Sequence, residues 1–138
     1  MEWKIYIRKL LGRKRHTAHV VLVRQSKFLL VQEAVGGIRG LWGLPGGGVK
    51  RNETAEMAAV REAKEEAGFD IKLLKELVAI EDKKRGNVRH VFLGEIKGGE
   101  LKVDKTEHMD ARWMTMNEVK SLSGKLRGDW VIESLILV

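Results

Sequence analysis

Two short runs rich in branched and aromatic apolar residues, 16–24 and 27–33, are separated only by Gln25 and Ser26, and such a pair reads as a β-hairpin. Residues 34–48 then carry seven glycines and the only proline, which predicts a loop whose backbone can approach a ligand closely. After this the apolar period changes. Thr54 stands as a candidate N-cap, residues 55–67 are almost all good helix formers, and Gly68 suits the position just past a helix end. Val60, Ala63 and Ala67 form the expected packing face of that helix, roughly opposite its glutamates. Residues 71–81 and 88–96 read as long strands joined by a polar turn at 83–87. A short strand at 112–115, a short helix at 117–122 and a closing helix at 129–137 follow, the last with Val131, Ile132, Leu135 and Ile136 as candidate core contacts. This order implies an α/β fold, a mixed β-sheet flanked by helices.

At 138 residues and 43% hydrophobic the chain is read as one domain, 1–138, able to bury about two thirds of its unfolded surface. With no cysteine, a disulfide scaffold and a thiolate metal site are both excluded, so a metal must come through oxygen or histidine. Charges interrupt every apolar run near the N-terminus, and no stretch approaches a membrane span; a soluble cytoplasmic protein is the expectation. The net charge is +7, with six of the cations, Lys4, Arg8, Lys9, Arg13, Lys14 and Arg15, falling in residues 1–16 against Glu2 alone. The expected role of that segment is a solvated basic arm. It could also draw polyanionic substrates or RNA toward the protein, although no aromatic-bearing RNA motif accompanies it.

The candidate chemistry sits in GGVKRNETAEMAAVREAKEEAGF, residues 47–69. On a helix, Glu62, Glu65 and Glu66 share one face, and like charges at such spacing repel. A hard divalent cation, Mg²⁺ or Mn²⁺, is the natural compensation, since it takes oxygen ligands and bridges carboxylates to substrate phosphates.

Gly47, Glu53, Arg61, Glu62, Glu65, Glu66 and Gly68 fill all seven fixed positions of G-x5-E-x7-R-E-U-x-E-E-x-G-U, and the chain therefore resembles the Nudix hydrolases. A chance match is on the order of 1 in 10⁸ per starting position. The apolar positions hold Ala63 and Phe69, the latter bulkier than the usual aliphatic residue, and Trp42 to Gly46 resembles the family's approach to the motif.

The resemblance implies the Nudix α/β/α sandwich over nearly the whole chain and metal-dependent hydrolysis of a nucleoside diphosphate linked to a group X. It also implies that Glu62, Glu65, Glu66 and the carbonyl of Gly46 ligate metal. Arg61 is expected to hold Glu53 or another carboxylate, and Glu53 could equally be an outer ligand through water. Glu107, in a stretch similar to MutT-like members, is the candidate for a further carboxylate, with Asp104 and Asp110 as competitors. Either Glu62 or Glu107 could be the general base.

Trp42 and Trp113 are expected to pack, and His16, His19, His90 and His108 to be structural or surface residues. Lys83, Lys84, Arg85 and Arg89 are expected to form a solvated turn. The signatures of the ADP-ribose, diadenosine polyphosphate and NADH groups are absent; Pro45 and Tyr6 are the only proline and tyrosine. The resemblance then implies a MutT-like enzyme taking a nucleoside triphosphate, including oxidised ones, to monophosphate and pyrophosphate. Alternatives are a dinucleoside polyphosphate, a nucleotide sugar, ADP-ribose or an RNA 5′ end. A binding or regulatory module on the same fold, gripping nucleic acid through the basic arm, is the reading from another class.

Overall fold

The computed structural model describes residues 14–83 and 85–138. Most of the basic arm, residues 1–13, and Lys84 of the expected turn therefore lie outside the described residues.

The hairpin forms as expected. Strand β1 (Arg15–Arg24) turns into β2 (Lys27–Glu33) through Gln25 and Ser26, both with positive φ (51° and 62°), the two-residue geometry that matches the twist of paired strands. The glycine-rich stretch is more ordered than the expected loop. It contains a 3-10 turn (Gly36–Ile38) and two short strands, β3 (Trp42–Gly43) and β4 (Gly46–Gly48). Backbone pairing needs no side chain, so glycines that blur the strand signal in sequence still satisfy their amides here.

Strand β5 (Phe69–Asp82) and β6 (Asn87–Gly99) form a long antiparallel pair, while β6 runs parallel to β1. The sheet order is β3-β2-β1-β6-β5, with β4 added on β1 and β7 (His108–Met114) on β2. Strand β1 pairs with β4 over Thr17–His19 and with β2 only at Val23 and Arg24, so the sheet splays between them. The glycine strand borders that opening.

Helix α1 (Ala55–Ala67) covers one face. Thr54 caps it by accepting a hydrogen bond from the Met57 amide at 3.1 Å, and Gly68 ends it in the left-handed region at φ 83°. Ala58, Ala59, Ala63 and Ala67 are fully buried against Ala18, Val20, Leu22, Phe69 and Phe92. Small side chains let the helix sit close to the sheet. Of the expected packing face, Ala63 and Ala67 are buried but Val60 is 38% exposed, and Glu62 and Glu66 lie with the buried alanines. Phe69 is fully buried beside Trp113, ring centroids 6.1 Å apart, and its burial contributes about 2 to 3 kcal/mol.

The opposite face is covered by α2 (Met116–Ser121) and α3 (Trp130–Leu135), with Val119, Trp130, Val131 and Leu135 against Val21, Leu30, Val91 and Met114. Trp42 joins this cluster. Ile136, expected in the core, is 64% exposed because the last helix ends before it. The result is a helix, sheet, helix sandwich. No helix among the described residues is long and apolar enough to cross a membrane.

Candidate active site

Helix α1 sends Glu62 and Glu66 inward and Glu65 outward. The inner pair is 9% and 7% exposed, and space for it comes from the glycine strand opposite. A Cβ on Gly47 would stand 2.6 Å from Glu62 Oε1, and one on Gly46 would meet the Ala18 carbonyl and the His19 ring. The Gly46 amide donates to Glu66 Oε2 at 2.8 Å. The motif's first glycine thus acts by leaving room for a carboxylate, and the glycine before it by presenting an N–H to one.

Arg61 gathers the remaining acids. Its Nε and Nη2 form a fork on Glu53 at 2.8 and 2.9 Å, Nη1 reaches Glu62 at 2.9 Å and Glu65 at 3.1 Å, and Nη2 also donates to the Gly48 carbonyl at 3.0 Å. Those hydrogen bonds, with one from the Lys50 amide, hold the Glu53 carboxyl down at about 2, and the same partners push the Arg61 guanidinium up. Arg61 stays charged and fixed, and a planar fork of this kind sets orientation as well as charge.

Glu66 is the opposite case. Burial, and then the nearby negative charges of Glu62 and Glu33, push it up to about 9 against the pull of the Gly46 amide. An acid so placed holds a proton at neutral pH unless a cation replaces it. Glu107 is exposed, yet its carboxylate lies within 4.8 Å of ligand atoms of Glu66 and His108. Its backbone is held by hydrogen bonds from its own N–H to Asp104 and from the Ala34 N–H to its carbonyl. Asp104 and Asp110 are engaged elsewhere, by Thr106 and by Arg112 respectively.

Sequence reasoning missed three members of this cluster. Glu33, the last residue of β2, is 9% exposed and stands 3.4 Å from both His108 Nε2 and Arg127 Nη1. His108, expected to be structural or surface, is buried with Nε2 3.8 Å from Glu66 Oε1 and with Nδ1 lacking any partner. The available signals were an acid ending an apolar strand and a histidine directly after Glu107.

Arg89 also departs from the expected solvated turn. It is half-buried with its guanidinium 4.2 Å from the Trp130 ring centroid, and burial and the Arg127 charge lower its pKa. His19, on the same sheet face, donates from Nδ1 to the Leu44 carbonyl and is held neutral by burial, down to about 3.

A divalent cation fits these donors. Hard carboxylate oxygens surround a carboxyl that burial keeps protonated, and the buried imidazole of His108, whose Nε2 lies 3.8 Å from that carboxyl, leaves its Nδ1 without a hydrogen-bond partner.

Residues 13–133 match the family profile described as NUDIX domain. The chain belongs to the NUDIX domain family. It is 40% identical over 97 residues to the human 8-oxo-dGDP phosphatase NUDT18, covering 68% of this chain and 30% of that protein. It is 33% identical over 108 residues to an ADP-ribose pyrophosphatase of Methanocaldococcus jannaschii, covering 75% of this chain and 63% of the relative. The chain thus spans less than two thirds of the length of these NUDIX relatives. A crystal structure of a MutT NUDIX hydrolase from Burkholderia pseudomallei superposes with a TM-score of 0.78 at 27% identity, over 91% of this chain and 98% of that one. The helix, sheet, helix sandwich is the NUDIX fold, and divalent metal use is general in the family.

Proposed function

We propose that this NUDIX protein hydrolyses a phosphoanhydride of a nucleoside diphosphate linked to X, with a nucleoside triphosphate, oxidised ones included, as the substrate cut to monophosphate and pyrophosphate. The observation that carries this reading is the convergence of Glu53, Glu62 and Glu65 on one arginine, with Glu66 buried next to them and Glu107 and His108 beside Glu66. Glu62, Glu65, Glu66, Glu107 and the Gly46 carbonyl would hold Mg²⁺ or Mn²⁺. When bound, such ions neutralise phosphate charge, polarise the attacked phosphorus and lower the pKa of water.

Arg61 is the positioning residue: by gripping Glu53 on one side and Glu62 and Glu65 on the other, it fixes the two ligands before substrate arrives. Glu62 or Glu107 takes the proton from the attacking water. Glu66 gives up its proton when the site is loaded, so its buried charge is present only when compensated. Arg127, tied to Glu33, sets positive charge beside the acids for the substrate's phosphates. The name of the human relative supports an oxidised guanine nucleotide, and the chemistry is that of a soluble nucleotide enzyme working in the cytoplasm.

Pyrophosphate and monophosphate release should be measured over nucleoside triphosphates, 8-oxo-dGTP, ADP-ribose and diadenosine tetraphosphate, with Mg²⁺ and with Mn²⁺. Glu66→Gln serves as the blank, since the amide oxygen still accepts from the Gly46 N–H. Pyrophosphate from a triphosphate, absent in Glu66→Gln, is expected. No metal-dependent turnover of any member of the panel would overturn the assignment.

A further inference from the structure

A groove of about 570 Å³ opens at the start of β1 and has in its lining Glu53, one of the three glutamates that Arg61 holds. Six of its lining residues are basic or imidazole-bearing: Lys14, Arg15 and His16 from the β1 end, Lys50 and Arg51 from the loop after β4, and His90 from β6. Three segments distant in sequence therefore converge on one cavity. This is more than a run of solvated charges in one arm.

The neighbouring acids are already engaged. Glu53 is gripped by Arg61, Glu76 accepts from His90 Nδ1 at 2.8 Å, and Glu81 pairs with Lys14 at 2.8 Å. The side chains of Arg15, Lys50 and Arg51 have no acid within ion-pair distance among the described residues. His90, with Nδ1 committed to Glu76, offers Nε2 as acceptor to His16 Nδ1 at 2.9 Å, which fixes both rings at the rim. Among the described residues no Trp, Tyr or Phe ring lines the groove, so what lines it offers charge rather than base-stacking platforms.

We propose that this groove binds the phosphate backbone of a single-stranded nucleic acid, whose 5′ phosphates then extend past Glu53 to the acidic site. The second clause rests on the function proposed above; the binding itself does not. Phosphate recognition by unpaired cations without aromatic stacking gives sequence-independent, salt-sensitive binding. A free nucleoside triphosphate occupying the glutamate cluster leaves the groove unfilled, whereas a nucleic-acid end fills both.

Fluorescence anisotropy with a labelled, 5′-triphosphorylated RNA of roughly twelve nucleotides, in EDTA so that nothing is cut, tests the site. Arg15→Glu combined with Arg51→Glu, both on exposed positions, is expected to weaken binding about tenfold or more and to flatten the salt dependence, with melting unchanged. Lys97→Glu, an exposed lysine elsewhere on β6, is expected to bind as the parent does. Equal binding by the double variant, equal weakening by Lys97→Glu, or binding of inorganic polyphosphate without binding of RNA would each overturn the proposal. With Mg²⁺ added, the double variant should raise KM for the RNA end and leave that for a free triphosphate unchanged. If neither is cut, the function proposed above fails while the anisotropy result still decides the groove.

Discussion

Gly47→Ala separates catalysis from stability in this protein. The added methyl would stand 2.6 Å from Glu62 Oε1 and 2.9 Å from its Cδ, so the carboxylate must retreat by nearly an ångström to reach ordinary contact. That movement breaks the 2.9 Å bond from Arg61 Nη1 and takes one of the carboxylates proposed to hold metal out of register with Glu65 and Glu66. Misplacement on this scale costs on the order of a hundredfold in rate, about 2.7 kcal/mol of transition-state stabilisation. Stability should hardly change, because Gly47 lies outside the left-handed region and the obstructing atoms are the end of a side chain rather than backbone. Loss of unfolded-chain entropy offsets part of the disturbance, leaving a net effect within about 1 kcal/mol. The assay pairs kcat/KM for pyrophosphate release with urea unfolding of the same preparation. Activity within about threefold of the parent would refute the idea that the glycine exists to place Glu62.

Folded Glu66 titrates near 9 against an ordinary 4.5, so folding takes up a proton between these values. Its contribution is present in full below pH 4.5 and is lost as pH rises to about 9, and Glu53, depressed to about 2, contributes nothing variable in that window. In EDTA the urea midpoint should therefore fall across this range, and Glu66→Gln should remove the fall; an unchanged slope in the variant would sink the assignment. Gly68→Ala forces a Cβ toward the Glu100 carbonyl at φ 83° and should destabilise by about 2 kcal/mol or more, whereas Thr54→Ala at the other end loses one cap bond and about 1 kcal/mol. Chemical denaturation of the two variants ranks them, and an equal or reversed order would contradict the strain argument.

Local signals carried a good deal of this. The hairpin at Gln25 and Ser26, the helix from Ala55 to Ala67 with both its caps, and the long β5 and β6 strands each follow from propensity and period within a short window. The strands at Trp42–Gly43 and Gly46–Gly48 did not show, because glycine gives no periodicity and only the partner strands reveal the pairing. The packing face of the helix holds Ala63 and Ala67 as expected but leaves Val60 out. Val60 is the more apolar residue, but alanine is what a closely approaching sheet admits, so the valine is left outside.

The order and spacing of residues by themselves determined the family motif, the class of fold and the set of acids available for a divalent ion, because these depend on neighbours along the chain. Only the tertiary structure decided that Glu62 and Glu66 are buried while Glu65 is not, that one arginine binds three glutamates, and that Glu33, His108 and Arg127 belong to the same cluster. Burial and charge coupling depend on distance through space, and residues 33, 66, 108 and 127 meet only after the sheet has formed.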